Sequence, residues 1–147
     1  MKSAAKTQRP DGRQAHPTEV VPIASLKPHP RNYKRHPAEQ VEHLCASLRQ
    51  YGQFRNVVVA RESTILAGHG VVQAMAKLGW AEVTVVRLDL DPMSPAALKL
   101  VALDNELPKF AETDDRMLTD LLREVSTVEG LLGTGFDDQS LEALVGE

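Results

Sequence analysis

Apolar residues along this chain come in short blocks whose period changes from one block to the next. VVPIASL (Val20–Leu26) predicts a short strand and its exit. Val41, Leu44, Leu48 and Tyr51 follow at helical spacing, with Pro37 suited to the first turn and Gly52 to the end. Val57–Ala60 and Thr64–Leu66 read as strands around a turn at Arg61–Ser63. The run ILAGHGVVQAMAKLGW changes character at Gly68–Gly70. It predicts a strand, a tight glycine turn and a helix over Val71–Leu78, closed by Gly79 in the C′ place. VTVVRL (Val83–Leu88) predicts a buried strand. Ser94 and Pro95 form an N-cap and first-turn pair, opening a helix through about Leu103 that Asp104-Asn105 is expected to break. A further helix covers roughly 114–125, with Met117, Leu118, Leu121, Leu122 and Val125 on one side. Phe136, Asp137 and Leu141 fit a hydrophobic staple opening a last short helix to about Val145. The pattern is that of an α/β (α+β) domain with short mixed strands and a C-terminal helical extension.

Length sets the scale. The chain has 147 residues, 42% of them hydrophobic, enough for one domain with a real core and too few for two large ones. Three regions are expected: a disordered polar leader over 1–19, a folded domain over 20–107, and an acidic helical extension over 108–147. The longest apolar runs fall far short of the ~18 residues a membrane span needs. The first residues are basic but lack an apolar stretch, so no secretory signal is visible. A single cysteine, Cys45, rules out an internal disulfide framework. Together these features favour a reducing, cytoplasmic setting.

Charge divides the chain unevenly. Residues 1–103 hold 14 Lys/Arg against 8 Asp/Glu, whereas 104–147 hold 3 against 12. The basic part can meet a polyanion, and the acidic part opposes it. The loop KPHPRNYKRHP (Lys27–Pro37) concentrates Lys27, Arg31, Lys34 and Arg35 with no acid among them.

The candidate chemistry gathers at Gly68, His69 and Gly70. Glycines let the chain turn sharply and let a ligand approach, while free N–H groups and the helix dipole favour an anion, typically phosphate. The alternative is a plain strand-to-helix turn. The pattern is neither a dinucleotide fingerprint, since Gln73 stands where a third glycine would be, nor a Walker loop. The basic loop can add cations to the same phosphates or can be a solvated surface loop. Gln53 and Arg55, between a helix end and a strand, can reach a ligand or be merely exposed. Glu39 and His43 have a usable metal spacing, but no second pair completes a site, and no metal is expected. Cys45 beside Leu44 and Leu48 reads as a small packed thiol.

With these residues in view, the chain resembles the ParB N-terminal/sulfiredoxin-like superfamily over about Val20 to Leu107. PHPRNYKRHP, GQFRNVVV, GHGVVQAM and VTVVRL stand in the family's order. LAGHGVVQAMAKLG and ALDNEL look most like the phage and plasmid branch labelled ParB-like nuclease. The resemblance implies a nucleotide, CTP or ATP/ADP, with its phosphates at the box containing Gly68, His69, Gly70, Val71 and Ala74. It extends to Gln53 and Arg55 and, in the basic loop, to Lys34 and Arg35, with Arg31 beside them. It also implies contact with DNA phosphates and a role in DNA partition, modification or phage biology. Departures are specific. Val71 replaces the family's phosphate-pairing arginine. His69 replaces the glutamate of CTP-hydrolysing members. Ala67 replaces the acid of the serine-kinase members, and the sulfiredoxin cysteine is missing. A binding module is therefore expected first. A nuclease or nucleotide-dependent phosphotransferase and a degenerate scaffold for a protein partner remain the alternatives, and self-pairing stays open. The tail TGFDDQSLEAL resembles text that joins this domain to a DNA methyltransferase in relatives, so the chain reads as a standalone version or a fragment of such a protein.

Overall fold

The structure, a computed structural model, describes residues 7–8 and 14–146. Two very short strands, β1 (Thr7–Gln8) and β2 (Gln14–Ala15), pair with each other ahead of the main sheet. Four strands build that sheet: β3 (Thr18–Pro22), β4 (Val57–Val59), β5 (Ile65–Ala67) and β6 (Glu82–Arg87), in the order β3-β6-β4-β5. β6 runs antiparallel to β3 and parallel to β4, and β4 is antiparallel to β5. Among the described residues the α-helices are α1 (Ala38–Tyr51), α2 (His69–Lys77), α3 (Pro95–Glu106), α4 (Asp115–Val128) and α5 (Asp138–Val145).

The sheet is covered on both faces. On one face, Val57, Val59, Ile65, Val83 and Val85 pack with Val41, Cys45 and Leu48 of α1 and with Ala74 and Met75 of α2. On the other, Ala60 and Leu66 pack with Ala97 and Val101 of α3. This explains why Ile65, Leu66 and Ala67 are all buried and read as a continuous apolar run instead of alternating. Cys45 is a free, buried thiol in that core, with Sγ 3.6 Å from the Ala74 carbonyl.

Several elements differ from the sequence expectation. Most of the residues assigned to a leader over 1–19 lie outside those described. Of the remainder, Thr7–Gln8 and Gln14–Ala15 pair, and Thr18 and Glu19 already belong to β3. Pro37 stands just ahead of α1 in extended conformation. α2 begins at His69, two residues earlier than the pattern suggested. α3 does not break at Asp104-Asn105: the Asn105 side chain donates back to the Val101 carbonyl at 2.9 Å, and the helix runs to Glu106. At the end of α2, Trp80 N–H bonds to Met75 O and Gly79 N–H to Ala76 O, with Gly79 at φ 76°. This is a Schellman closure with glycine in the C′ place.

The C-terminal helices enclose a small core of their own, Leu122, Leu131 and Leu141, with Phe136 packed against it. Asp137 and Ser140 form a capping box on α5. His43 ties this unit to α1: its Nδ1 accepts the N–H groups of Gly133 (2.8 Å) and Gly135 (3.0 Å). His43 is thus a loop anchor in this fold.

Candidate functional site

The strand-to-helix turn is built by Gly68. Its φ is 100°, a conformation in which a side chain is strained, and a β-carbon there would lie 3.1 Å from Val57 Cγ2. The chain leaves β5, turns at Gly68 and enters α2 with no side chain capping the first turn. Gly70 is needed for a different reason. A β-carbon on it would lie 2.9 Å from the His36 ring and 3.2 Å from Leu44 Cδ1, so glycine lets that ring rest on the helix.

Three histidines meet here. His29 is almost fully buried, at 3% exposure. Its Nε2–H donates to the Pro92 carbonyl at 2.7 Å, and its Nδ1 accepts the Arg31 N–H at 2.9 Å. Its backbone N–H donates to His69 Nε2 at 3.1 Å. His69 must therefore carry its proton on Nδ1. His36 Nδ1 lies 2.8 Å from Gln40 Oε1, so that nitrogen is the donor in the pair. Burial, and then the neighbouring His36 and His29, push the His69 pKa down to about 4. At neutral pH it is an uncharged donor. Because the folded value lies below the ordinary 6.5, the stability from this arrangement is complete above pH 6.5. It is lost as pH falls toward about 4. We expect His69→Gln to flatten the fall in melting temperature between pH 6.5 and 4 relative to wild type. An unchanged pH profile in the variant would remove His69 from that role.

The basic loop lies between the start of α2 and the end of α3. Tyr33 Oη donates to Glu106 Oε2 at 2.5 Å, and Lys109 Nζ lies 3.0 Å from Glu106 Oε1. The bond from Tyr33, then that from Lys109, hold the Glu106 carboxyl below its ordinary pKa, and Lys34 adds its field. Arg31 and Arg35 are exposed, and Lys34 is half-buried. Burial raises the Asp104 pKa, with the Arg55 charge opposing.

The structure thus brings Gly68, His69, Gly70 and Val71 together with the loop that carries Arg31, Lys34 and Arg35. Gln53 and Arg55 are placed differently. The Gln53 amide pairs with both backbone groups of Thr84, at 2.8 and 2.9 Å, and also bonds the Arg55 carbonyl. It extends the strand pairing beside β6 and is not available to a ligand. Arg55 lies 5.9 Å from the centre of the Phe54 ring. Val71 is half-buried and packs against the main core. The sequence reading passed over His29, His36, Tyr33 and Glu106. The visible signal was the two His-Pro steps flanking the basic loop. Among the described residues, no three His, Cys, Asp or Glu side chains are grouped to hold a metal ion. Nor, among the described residues, is any helix long and apolar enough to cross a membrane. A groove of about 570 Å³ lies elsewhere, lined by Asp115, Arg116, Asp120 and Arg123 of α4 with Leu144 and Val145 of α5. Its charges are mixed, and the histidines and glycines described above are not part of it.

A mixed four-stranded sheet, covered on both faces and opening through a glycine turn into an uncapped helix, defines the class of fold. No family model matches the chain. It is 36% identical over 67 residues to the ParB-like nuclease domain-containing protein YnaK of Escherichia coli (strain K12), covering 46% of this chain and 77% of that protein. The chain belongs to the ParB-like nuclease domain family. Among solved structures it is similar to C-terminally truncated chromosome-partitioning protein ParB from Caulobacter crescentus in complex with CTP-γ-S. The TM-score is 0.68 at 18% identity, over 88% of this chain and 85% of that one. The Pnob8-like ParB-N domain matches with TM-score 0.54 and 23% identity, over 77% of this chain and 45% of that one. At these identities the structural likeness speaks for the fold.

Proposed function

We propose that this ParB-like domain holds the phosphates of a nucleotide at the uncapped first turn of α2, as a binding module and not a catalyst. The observation that carries this is Gly68 at φ 100°, which turns the chain into a helix whose first turn no side chain caps. Such a turn offers N–H groups and a positive dipole end to an anion. His69, uncharged with its proton on Nδ1, adds a donor, and Lys34, Arg31 and Arg35 supply cations. The similar Caulobacter ParB was solved with CTP-γ-S and, in another structure, with the centromeric parS site. These neighbours support a nucleoside triphosphate as first ligand and DNA phosphates as a second, sequence-indifferent polyanion. A scaffold reading competes, because the His36 ring lies against Gly70 and Val71 faces the core where the superfamily carries an arginine.

Thermal shift with CTP, ATP, ADP, GTP and a short DNA duplex, on wild type and Val71→Arg, tests the proposal. One charge-assisted pair contributes about 1.5–3 kcal/mol, so the variant should bind its nucleotide roughly ten-fold tighter or more. Lost packing at the half-buried Val71 should lower its own melting temperature slightly. Failure of every nucleotide to stabilise either protein would overturn the proposal and leave the scaffold. Turnover of the bound nucleotide, or cleavage of the duplex, would move the domain to the enzymes.

A further inference from the structure

Helix α4 carries two rows of apolar side chains, and the fold uses one of them. Leu118, Leu122 and Val125 belong to the small C-terminal core, with Leu122 buried beside Leu131 and Leu141. The second row runs next to the first. Met117, Leu121, Glu124 and Val128 follow at steps of four, three and four, the spacing that keeps side chains along one side of a helix. Met117 is 69% exposed, Leu121 56% and Val128 80%. Exposed apolar residues scattered singly are ordinary, but three in one row of one helix form the kind of patch that marks an interaction site.

The helix that presents this row is fastened at both ends. The Asp114 side chain caps its first turn by accepting the Met117 N–H at 3.1 Å. Past its last turn, Glu129 Oε2 accepts from Gln50 Nε2 of α1 at 3.0 Å, and His43 holds the loop that follows. A row on a helix so held loses little freedom when a partner docks. It shares no residue with the first turn of α2 or with the basic loop. Arg116, Thr119 and Arg123, which line the groove toward α5, lie outside it.

Charge selects the occupant. Glu124 stands within the row and Asp120 beside it, both exposed and neither in an ion pair, and the row contains no Lys or Arg. A second copy of α4 in full overlap would set Glu124 against Glu124 when parallel and against Leu121 when antiparallel. Neither arrangement offers a countercharge to a carboxylate being removed from water. A helix with a cation at that point does. From this row and its one carboxylate we infer that α4 docks an amphipathic, basic helix of another protein. Apolar side chains of that helix cover Met117, Leu121 and Val128, and a Lys or Arg lies opposite Glu124.

The test is fluorescence anisotropy with labelled peptides of about 18 residues, long enough to span the row. One is an amphipathic helix of Leu and Lys, with Lys both within and beside its leucine row. A second has Glu in place of every Lys, and a third scrambles the Leu/Lys composition so that no row forms. Wild type should bind the Leu/Lys helix about ten-fold or more tighter than either of the others. Met117→Gln/Leu121→Gln/Val128→Gln should weaken that binding about ten-fold or more, because the apolar area is gone. Glu124→Gln should weaken it about three-fold and lower its salt dependence. All four side chains are exposed and glutamine is a good helix former, so melting temperatures and nucleotide thermal shifts should stay at wild-type values. The nucleotide measurement keeps failure here separate from failure of the phosphate site. Absence of binding by the Leu/Lys helix, or equal binding by the Glu peptide, would overturn the inference. Equal binding by the scrambled peptide, or full binding by the triple glutamine variant, would reduce the contact to net charge and overturn it as well. Sedimentation showing a wild-type dimer that the triple variant dissolves would make a second copy the occupant, against the inference.

Discussion

His29→Ala is expected to be among the most damaging single changes outside the apolar core. His29 is 3% exposed and uses both ring nitrogens, one on the Pro92 carbonyl and one on the Arg31 N–H. Alanine would strand both backbone groups and leave a cavity under the loop. Each unsatisfied buried group costs about 1–3 kcal/mol, so a loss of about 3 kcal/mol follows. For a chain of this length that is roughly 10 °C in melting temperature. Urea denaturation should agree with the thermal result. Hydrogen exchange should quicken across Lys27–Pro37, and any nucleotide affinity should fall with it. A melting temperature within about 1 °C of wild type would show that the loop is held by Tyr33 and Glu106 without help from His29.

Gly68→Ala is expected to come close behind. A left-handed backbone costs a non-glycine residue about 1–2 kcal/mol. The added methyl would also press on Val57 Cγ2 at 3.1 Å in a packed core. A total of about 2–3 kcal/mol is expected. The consequence for binding is larger than for folding, because relief of the strain rotates the first N–H groups of α2 away from a common point. Gly79→Ala serves as a comparison. It also has positive φ, but a β-carbon there would meet nothing within 4 Å, so it should cost the backbone term alone and leave ligand binding intact. Calorimetry with the best nucleotide from the thermal-shift panel measures the difference. Equal binding by Gly68→Ala and wild type would detach the turn from phosphate recognition.

What the sequence determined by itself was local. Ser94 accepting from Ala97 N–H, Asp137 with Ser140, and Gly79 closing α2 are interactions between residues a few positions apart. Their chemistry is written in adjacent letters. The glycine turn at Gly68 and the sequence of strands and helices were legible for the same reason. Gln53, His29 and His43 were not. Gln53 pairs with Thr84, His29 reaches His69 and Pro92, and His43 holds Gly133 and Gly135, partners 31 to 92 positions away. A polar side chain beside a turn looks the same in sequence whether it faces solvent or completes a strand. The lost break at Asp104-Asn105 has a similar cause. Asn105 can stop a helix or bond back along it, and here it bonds back to the Val101 carbonyl, while Val101 is buried under the sheet. Long-range packing decided which of these uses each polar group took, because buried backbone groups must find partners and the fold determines which side chains are near enough to serve.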